Sequence, residues 1–208
     1  MSQPWGSADL FHEVNVDGTR NVVHACRLAN VEKLVHVSST AVFFDFTDLL
    51  GHPDDAAYAS PQACHYSESK RLAEEVVFAA AADGLNVYTV RARAVFGPGD
   101  TTLMPRLIEA ARRGKLRQIG DGENLVDLTY IDNLVLGLLQ AAARGKAGDV
   151  CTITGGEPVK LWEWLPKVLR QLKVPFRKRT ISHSIAHRFA GLSELLHRVL
   201  PFLGEPPL

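Results

Sequence analysis

Hydrophobic and polar residues recur along this chain with two periods. Between Glu13 and Ala29 the residues Val14, Val22, Val23, Ala25, Cys26 and Leu28 return among charged neighbours at helical intervals, and the apolar run KLVHVS, Lys33 to Ser38, follows. That order predicts a helix and then a buried strand. The unit repeats: Ser67 to Ala82, rich in Ala and Glu, predicts a helix, and Asn86 to Val90 with Val95 and Phe96 predicts a strand ending in the turn Gly97-Pro98-Gly99-Asp100. Helix and strand alternating in this way indicate an α/β fold with a parallel sheet. In such sheets the loops at the carboxyl ends of the strands line a crevice, so chemistry is expected just after KLVHV and just after NVYTV.

Beyond Thr101 the pattern loosens into a helix from Met104 to Arg113, a turn at Gly120-Asp121-Gly122, a strand-like LVDLTY, a helix from Asp132 to Ala143, a strand from Asp149 to Thr154, and an amphipathic stretch from Lys160 to Leu172. These read as a smaller lobe interleaved with the end of the main sheet. With 208 residues, 46% of them hydrophobic, the chain can bury a substantial core. Lys plus Arg and Asp plus Glu balance at 23 each, which removes the positive field a nucleic-acid binder needs and points to a small-molecule partner. The three cysteines Cys26, Cys64 and Cys151 are widely spaced and form no CxxC, which argues against a disulfide framework and against zinc. No apolar run reaches the roughly 20 residues that span a bilayer, and Met1 to Ser7 has no signal-peptide character. A soluble, cytoplasmic protein is the expectation.

The candidate chemistry lies in Tyr66-Ser67-Glu68-Ser69-Lys70. A phenol and an ammonium four residues apart at the start of a helix share one face. A cation beside a tyrosine favours the phenolate, so Lys70 is expected to lower the Tyr66 pKa and ready it to exchange a proton with an alcohol. Ser39, at the end of the preceding strand, is placed to hold the substrate oxygen, with Ser38 as the weaker alternative. Spacing of this kind is common by chance, and taken alone its ordinary reading is a solvated helix face.

Four blocks in order change that. NVDGTRNVVHACRLANVEKLVHVSSTAVF, YSESKRLAE, VRARAVFGPGD and VDLTYIDN resemble successive blocks of the extended short-chain dehydrogenases, within the NAD-dependent epimerase/dehydratase superfamily, over roughly Phe11 to Thr154. The resemblance implies a Rossmann-type doubly wound parallel sheet, truncated at its N-terminal side, with a smaller mixed α/β substrate lobe. It implies residues 1–154 as an NAD(P)-binding domain, with substrate-lobe segments interleaved at about 100–130, and residues 155–208 as a helical substrate lobe. By the same resemblance Tyr66 transfers the proton, Lys70 tunes it and holds the nicotinamide ribose, and Ser39 orients the substrate oxygen. NAD or NADP contacts then fall on Asn15, Lys70, Ala92, Arg93 and Val95.

Within the family, sugar-nucleotide epimerases and dehydratases usually carry a glycine after the tyrosine. Tyr66-Ser67-Glu68-Ser69-Lys70-Arg71-Leu72-Ala73-Glu74 is more similar to the 3β-hydroxysteroid dehydrogenase and sterol-decarboxylating branch, which implies a hydrophobic secondary alcohol or ketone as substrate. A nucleotide-sugar epimerase or reductase is the second reading, and a non-catalytic binding or assembly module the third. Two departures stand out. Arg91-Ala92 replaces the usual Arg-Pro, and no GxxGxxG turn for the pyrophosphate occurs. The chain is therefore expected to be a fragment, inactive and poorly stable or associating by itself.

Other features have plainer readings. His183 and His187 are four apart without a third ligand, and are expected to pack or face solvent. His65 is assigned to helix entry, Arg177-Lys178-Arg179 to a solvated surface, and Cys64 to a small buried hydrophobe. Ile185, Phe189, Leu192, Leu196, Val199, Leu200, Phe202 and Leu203 form an apolar helical stripe, read first as core or lid, with a dimer face and a peripheral membrane contact as alternatives.

Overall fold

The computed structural model describes residues 6–188 and 191. The chain divides into two compact units, Met1–Gly99 with Asp127–Gly156, and Asp100–Val126 with Glu157–Leu208.

The first unit is built on three parallel strands in the order β1 (Leu34–Ser39), β2 (Val87–Ala92) and β7 (Val150–Ile153). Ahead of β1 lie α1 (Ala8–Phe11), a π-helical stretch His12–Asp17 and α2 (Gly18–Leu28), so the single expected helix is interrupted by a widened turn. Helix α3 (His65–Ala82) joins β1 to β2, and α5 (Ile131–Arg144) joins the later segments to β7. Side chains alternate across a strand, so the two sheet faces are separate sets. Leu34 and Val87 pack with Val77 and Ala80 of α3, whereas Val35, Val90, Ala92, Cys151 and Ile153 pack with Leu134, Leu138 and Ala141 of α5.

The expected strand through Val95 and Phe96 divides. Ala94 adopts a left-handed backbone at φ 39°, and β3 (Val95–Phe96) pairs with β6 (Thr129–Tyr130) outside the main sheet. Gly97 completes the departure, because a Cβ there would lie 2.5 Å from Ile131 Cγ2. The strand-like LVDLTY divides as well, with Thr129 and Tyr130 in this unit and β5 (Leu125–Val126) in the other.

The second unit has α4 (Met104–Arg112) and α6 (Leu161–Gln171), whose Ala111, Leu165 and Leu169 form a core with Val174. Small ladders complete it: β4 (Gln118–Ile119) with β9 (Thr180–Ile181) in parallel, and β5 with β8 (Val159–Lys160) antiparallel. Gly120 lies against the His183 imidazole, and His183 is otherwise exposed, as is His187. Among the described residues no cluster of His, Cys, Asp and Glu suits a metal, and no helix is long and apolar enough to cross a membrane. Of the apolar stripe, Ile185 is about half exposed. The stripe's other residues, from Phe189 on, lie outside the described residues.

Candidate active site

Helix α3 begins two residues earlier than the periodicity predicts because Ser67, at its third position, bonds back to the cap residue Cys64. The Cys64 amide donates to Ser67 Oγ at 3.2 Å, and Ser67 Oγ donates to the Cys64 carbonyl at 2.9 Å. This reciprocal cap fixes where the helix starts, and so where Tyr66 and Lys70 stand. Cys64 is itself exposed, which corrects its assignment as a buried hydrophobe: a cap residue has its side chain outside the helix, at the surface. His65 is exposed at helix entry.

Tyr66 sits half-buried in the first turn, with the fully buried ring of Phe11 at 6.2 Å between centroids. Ser39 lies close enough to the phenol to favour the ionised form. Ser39 ends β1 in extended geometry, its Oγ accepting from the Ala41 amide at 3.2 Å and capping the 3-10 turn Thr40–Phe43. Ser38, by contrast, is 3% exposed, and its hydroxyl has no hydrogen-bond partner. Lys70 donates from Nζ to the Val37 carbonyl at 3.0 Å.

Burial holds the Tyr66 phenol above its ordinary pKa, while Ser39 acts the other way. The expectation that Lys70 lowers it is thereby corrected. Desolvation outweighs the stabilisation of a phenolate, and the ammonium is engaged with a backbone carbonyl. Burial also pulls Lys70 below its ordinary value, with the Glu74 carboxylate opposing.

The remaining site residues gather around the carboxyl ends of β1 and β2. Asn15, 6% exposed in the π-helical stretch, donates from Nδ2 to Ser69 Oγ at 2.9 Å, and Ser69 donates to the Tyr66 carbonyl at 2.8 Å. Asn15 thus braces the helix turn that holds both Tyr66 and Lys70. Ala92 lies opposite Ser39 in the ladder, and Arg93 Nη1 donates to Thr40 Oγ1 at 3.4 Å. Thr129 Oγ1 donates to the Arg93 carbonyl at 2.6 Å. Val95 is the outlier, in the separate ladder with Thr129 and against the α5 core.

The sequence reading passed over one cluster. Glu74, fully buried, takes a bidentate ion pair from Arg91, which is 3% exposed, at 2.9 and 2.6 Å. Tyr58 donates to the same carboxylate at 2.7 Å, and Arg91 Nη1 donates to the Asp54 carbonyl at 2.6 Å. The Arg91 guanidinium also lies 4.5 Å from the Phe43 ring centroid. The available signal was spacing: Tyr66, Lys70 and Glu74 are successive i+4 positions, so Glu74 belongs on the face that carries the other two. Near this cluster His36 is half-buried, with its Nε2 enclosed and unpartnered. Burial and the nearby Lys70 ammonium pull it down to about 4, with Glu74 opposing.

Comparison with known proteins places this geometry. The chain is 39% identical over 215 residues to a 2-alkyl-3-oxoalkanoate reductase of Stenotrophomonas maltophilia, covering 98% of this chain and 64% of that protein. It is 39% identical over 202 residues to the mouse (Mus musculus) decarboxylating sterol-4-alpha-carboxylate 3-dehydrogenase, covering 92% of this chain and 55% of that one. The chain thus spans between 55% and 64% of the length of these relatives, less than two thirds of either. Among solved structures, dTDP-glucose 4,6-dehydratase (DesIV) of Streptomyces venezuelae, with NAD and TYD bound, superposes with a TM-score of 0.69 at 26% identity, covering 85% of this chain and 55% of the other. The parallel sheet is accordingly Rossmann-like. The sequence profile of the 3-beta hydroxysteroid dehydrogenase/isomerase family matches residues 4–180, and the chain belongs to that family.

Proposed function

We propose that this chain is part of an NAD(P)-dependent oxidoreductase that interconverts a secondary alcohol and a ketone on a hydrophobic, steroid-like or other 3β-hydroxy substrate. What supports the reading is that Ser39 ends β1 near the Tyr66 phenol while Lys70, one helical turn on, reaches the Val37 carbonyl of the same strand, at the end of the sheet where α/β folds bind ligands. The two relatives at 39% identity are named as a reductase and a sterol dehydrogenase, which supports both the reaction and an apolar substrate.

The donor chemistry fits the nicotinamide half of a dinucleotide. An ammonium has three protons, and Lys70 gives one to the Val37 carbonyl, leaving donors for ribose hydroxyls. Ala92 ends β2 and Arg93 follows it, as the resemblance assigns to the ring, while Val95 is displaced into the separate ladder, and Asn15 holds the Tyr66 turn through Ser69. A bound dinucleotide would supply or accept the hydride. Tyr66 gives its proton to the carbonyl oxygen in reduction or receives it in oxidation, and Ser39 orients that oxygen. With its pKa raised by burial, the phenol is protonated at neutral pH, the state that acts as an acid towards a ketone. The residues of the second unit are assigned to the choice of substrate.

The test is fluorescence titration with NADH and NADPH, followed by turnover of a 3β-hydroxysteroid, a 2-alkyl-3-oxo acid and dTDP-glucose. Binding together with turnover of either apolar substrate is expected of the chain with a glycine-rich βα segment joined upstream and not of this chain by itself, and Tyr66→Phe in the extended form should lower turnover by about 10²–10⁴-fold while leaving circular dichroism unchanged. Turnover of dTDP-glucose alone would establish the nucleotide-sugar reading, which the likeness to DesIV favours. Absence of dinucleotide binding, both here and with a glycine-rich βα segment joined upstream, would leave the binding-module reading.

A further inference from the structure

We propose that Arg93 binds the carboxylate of a 3-hydroxy or 3-oxo acid, an anion carried on the carbon next to the one that reacts, and so sets the substrate class of the site. The proposal rests on the reading above, in which Ser39 orients the reacting oxygen and Tyr66 exchanges the proton.

Two arginines stand close together in the chain and meet different surroundings. Arg91, within β2, is 3% exposed and spent on its bidentate pair with Glu74, on the Asp54 carbonyl and on the Phe43 ring. Arg93, just past the end of β2, is half-buried, and among the described residues it has no carboxylate partner. Its guanidinium meets Thr40 Oγ1 at 3.4 Å, beyond the roughly 3.2 Å of a well-formed N–H···O bond. A guanidinium is always charged and has five N–H donors, so most of this one's capacity is unspent. A cation partly withdrawn from water without a partner is costly, and its planar fork matches a carboxylate through two parallel bonds.

The place of Arg93 defines the anion. Thr40 follows Ser39 directly, at the ~3.8 Å that separates consecutive Cα atoms. Ala92, which precedes Arg93, is the ladder partner of Ser39. Both strands thus put the guanidinium one residue beyond the hydroxyl that orients the reacting oxygen, which suits a carboxylate one carbon removed from the carbinol. The main chain beneath is fixed: Thr129, fully buried, donates from Oγ1 to the Arg93 carbonyl at 2.6 Å and from its amide to the Ala94 carbonyl at 3.2 Å. A nicotinamide ring is neutral when reduced and cationic when oxidised, so it offers the guanidinium no negative partner. The 3-10 turn that carries Thr40 runs on into Phe44 and Phe46, 41% and 77% exposed with their ring centroids 5.4 Å apart, apolar surface for the rest of the substrate. Of the substrates named above, the 2-alkyl-3-oxo acid has both features, and the uncharged 3β-hydroxysteroid lacks the anion.

The probes are 3-hydroxyoctanoic acid and its methyl ester, titrated calorimetrically into the chain with a glycine-rich βα segment joined upstream, with and without NAD. The acid should bind about tenfold tighter than the ester, or more, as a charge-assisted pair requires. Arg93→Leu should bring that ratio close to one, and Arg93→Lys, which keeps the charge but not the fork, should recover part of it. In turnover of a 2-alkyl-3-oxo acid the Arg93→Leu loss should fall on KM and not on kcat. Equal affinity for acid and ester in the unaltered protein, or no binding of the acid, overturns the proposal whether or not a variant folds. Weakening of NADH binding by Arg93→Leu to the same degree as the acid also overturns it, because a cofactor phosphate would then be the guanidinium's ligand. Dinucleotide binding and turnover without preference for the acid defeat this proposal alone, whereas preference for the acid without dinucleotide binding defeats only the oxidoreductase reading.

Discussion

The two faces of the three-stranded sheet in the first unit are held by different physics. Against α5, Val35, Val90, Ala92, Cys151 and Ile153 meet Leu134, Leu138 and Ala141, an apolar contact without direction. Against α3 only the amino end is apolar, where Leu34 and Val87 meet Val77 and Ala80. Towards the carboxyl end the same face carries His36 opposite Thr89, Ser38 opposite Arg91, and Arg91 opposite Thr152. Thr152 in turn bonds the Asp54 carboxylate. Hydrophobic burial fixes how close an element lies but tolerates sliding, whereas bidentate and charged bonds fix register. The helix that carries Tyr66 and Lys70 is the one held by the second kind of contact.

If that difference is real, damage to the two faces should look different. The largest effect is expected from Glu74→Ala, which strands the Arg91 guanidinium in a buried site. It should cost about 3–5 kcal/mol by chemical denaturation, while Glu74→Met with Arg91→Met should recover most of that loss. A loss no greater than that of an exposed ion pair would erase the contrast.

Next comes pH. His36 is held near 4 in the folded chain against 6.5 in the unfolded one, so the unfolded state binds more protons between those values. Stability from this residue is complete above pH 6.5 and is lost as pH falls from there towards 4, by up to about 3 kcal/mol. His36→Leu should flatten the acid limb of stability against pH, and an unaltered limb would count against an enclosed neutral imidazole on the α3 face.

On the apolar face Leu134→Ala should cost about 2 kcal/mol, the low end for a buried leucine, with the acid limb left as it was. Smallest is Ser67→Ala, which removes the reciprocal cap at the start of α3. About 1 kcal/mol is expected, with the first turn of α3, and Tyr66 in it, exchanging amide hydrogens faster. Unchanged exchange there would show that Phe11 and Ser39 suffice to hold the turn.

Much of the architecture follows from the chain read locally. The helices α3, α4 and α5 and the strands β1, β2 and β7 lie where apolar spacing places them, within two or three residues, because each buries one face and so repeats its pattern locally. The spacing of Tyr66, Lys70 and the strand-end Ser39 was legible for the same reason: a helical turn and a strand terminus are short-range facts. What escaped that reading was set by distant partners. The run from Asn86 to Phe96 looks like one strand, yet Ala94 turns it out of the main sheet to pair with Thr129, a choice no local pattern records. LVDLTY divides between two units for the same reason.

The electrostatics of the site belong wholly to the tertiary structure. The sequence by itself determined which groups can exchange a proton and that they share a helix face. Only the folded chain decided that burial holds the Tyr66 phenol above its ordinary pKa, that Ser38 is enclosed while Ser39 stays near the phenol, and that Glu74 meets Arg91 seventeen residues on. Desolvation and ion pairing depend on everything packed around a group, and that surrounding is assembled from segments far apart in the chain.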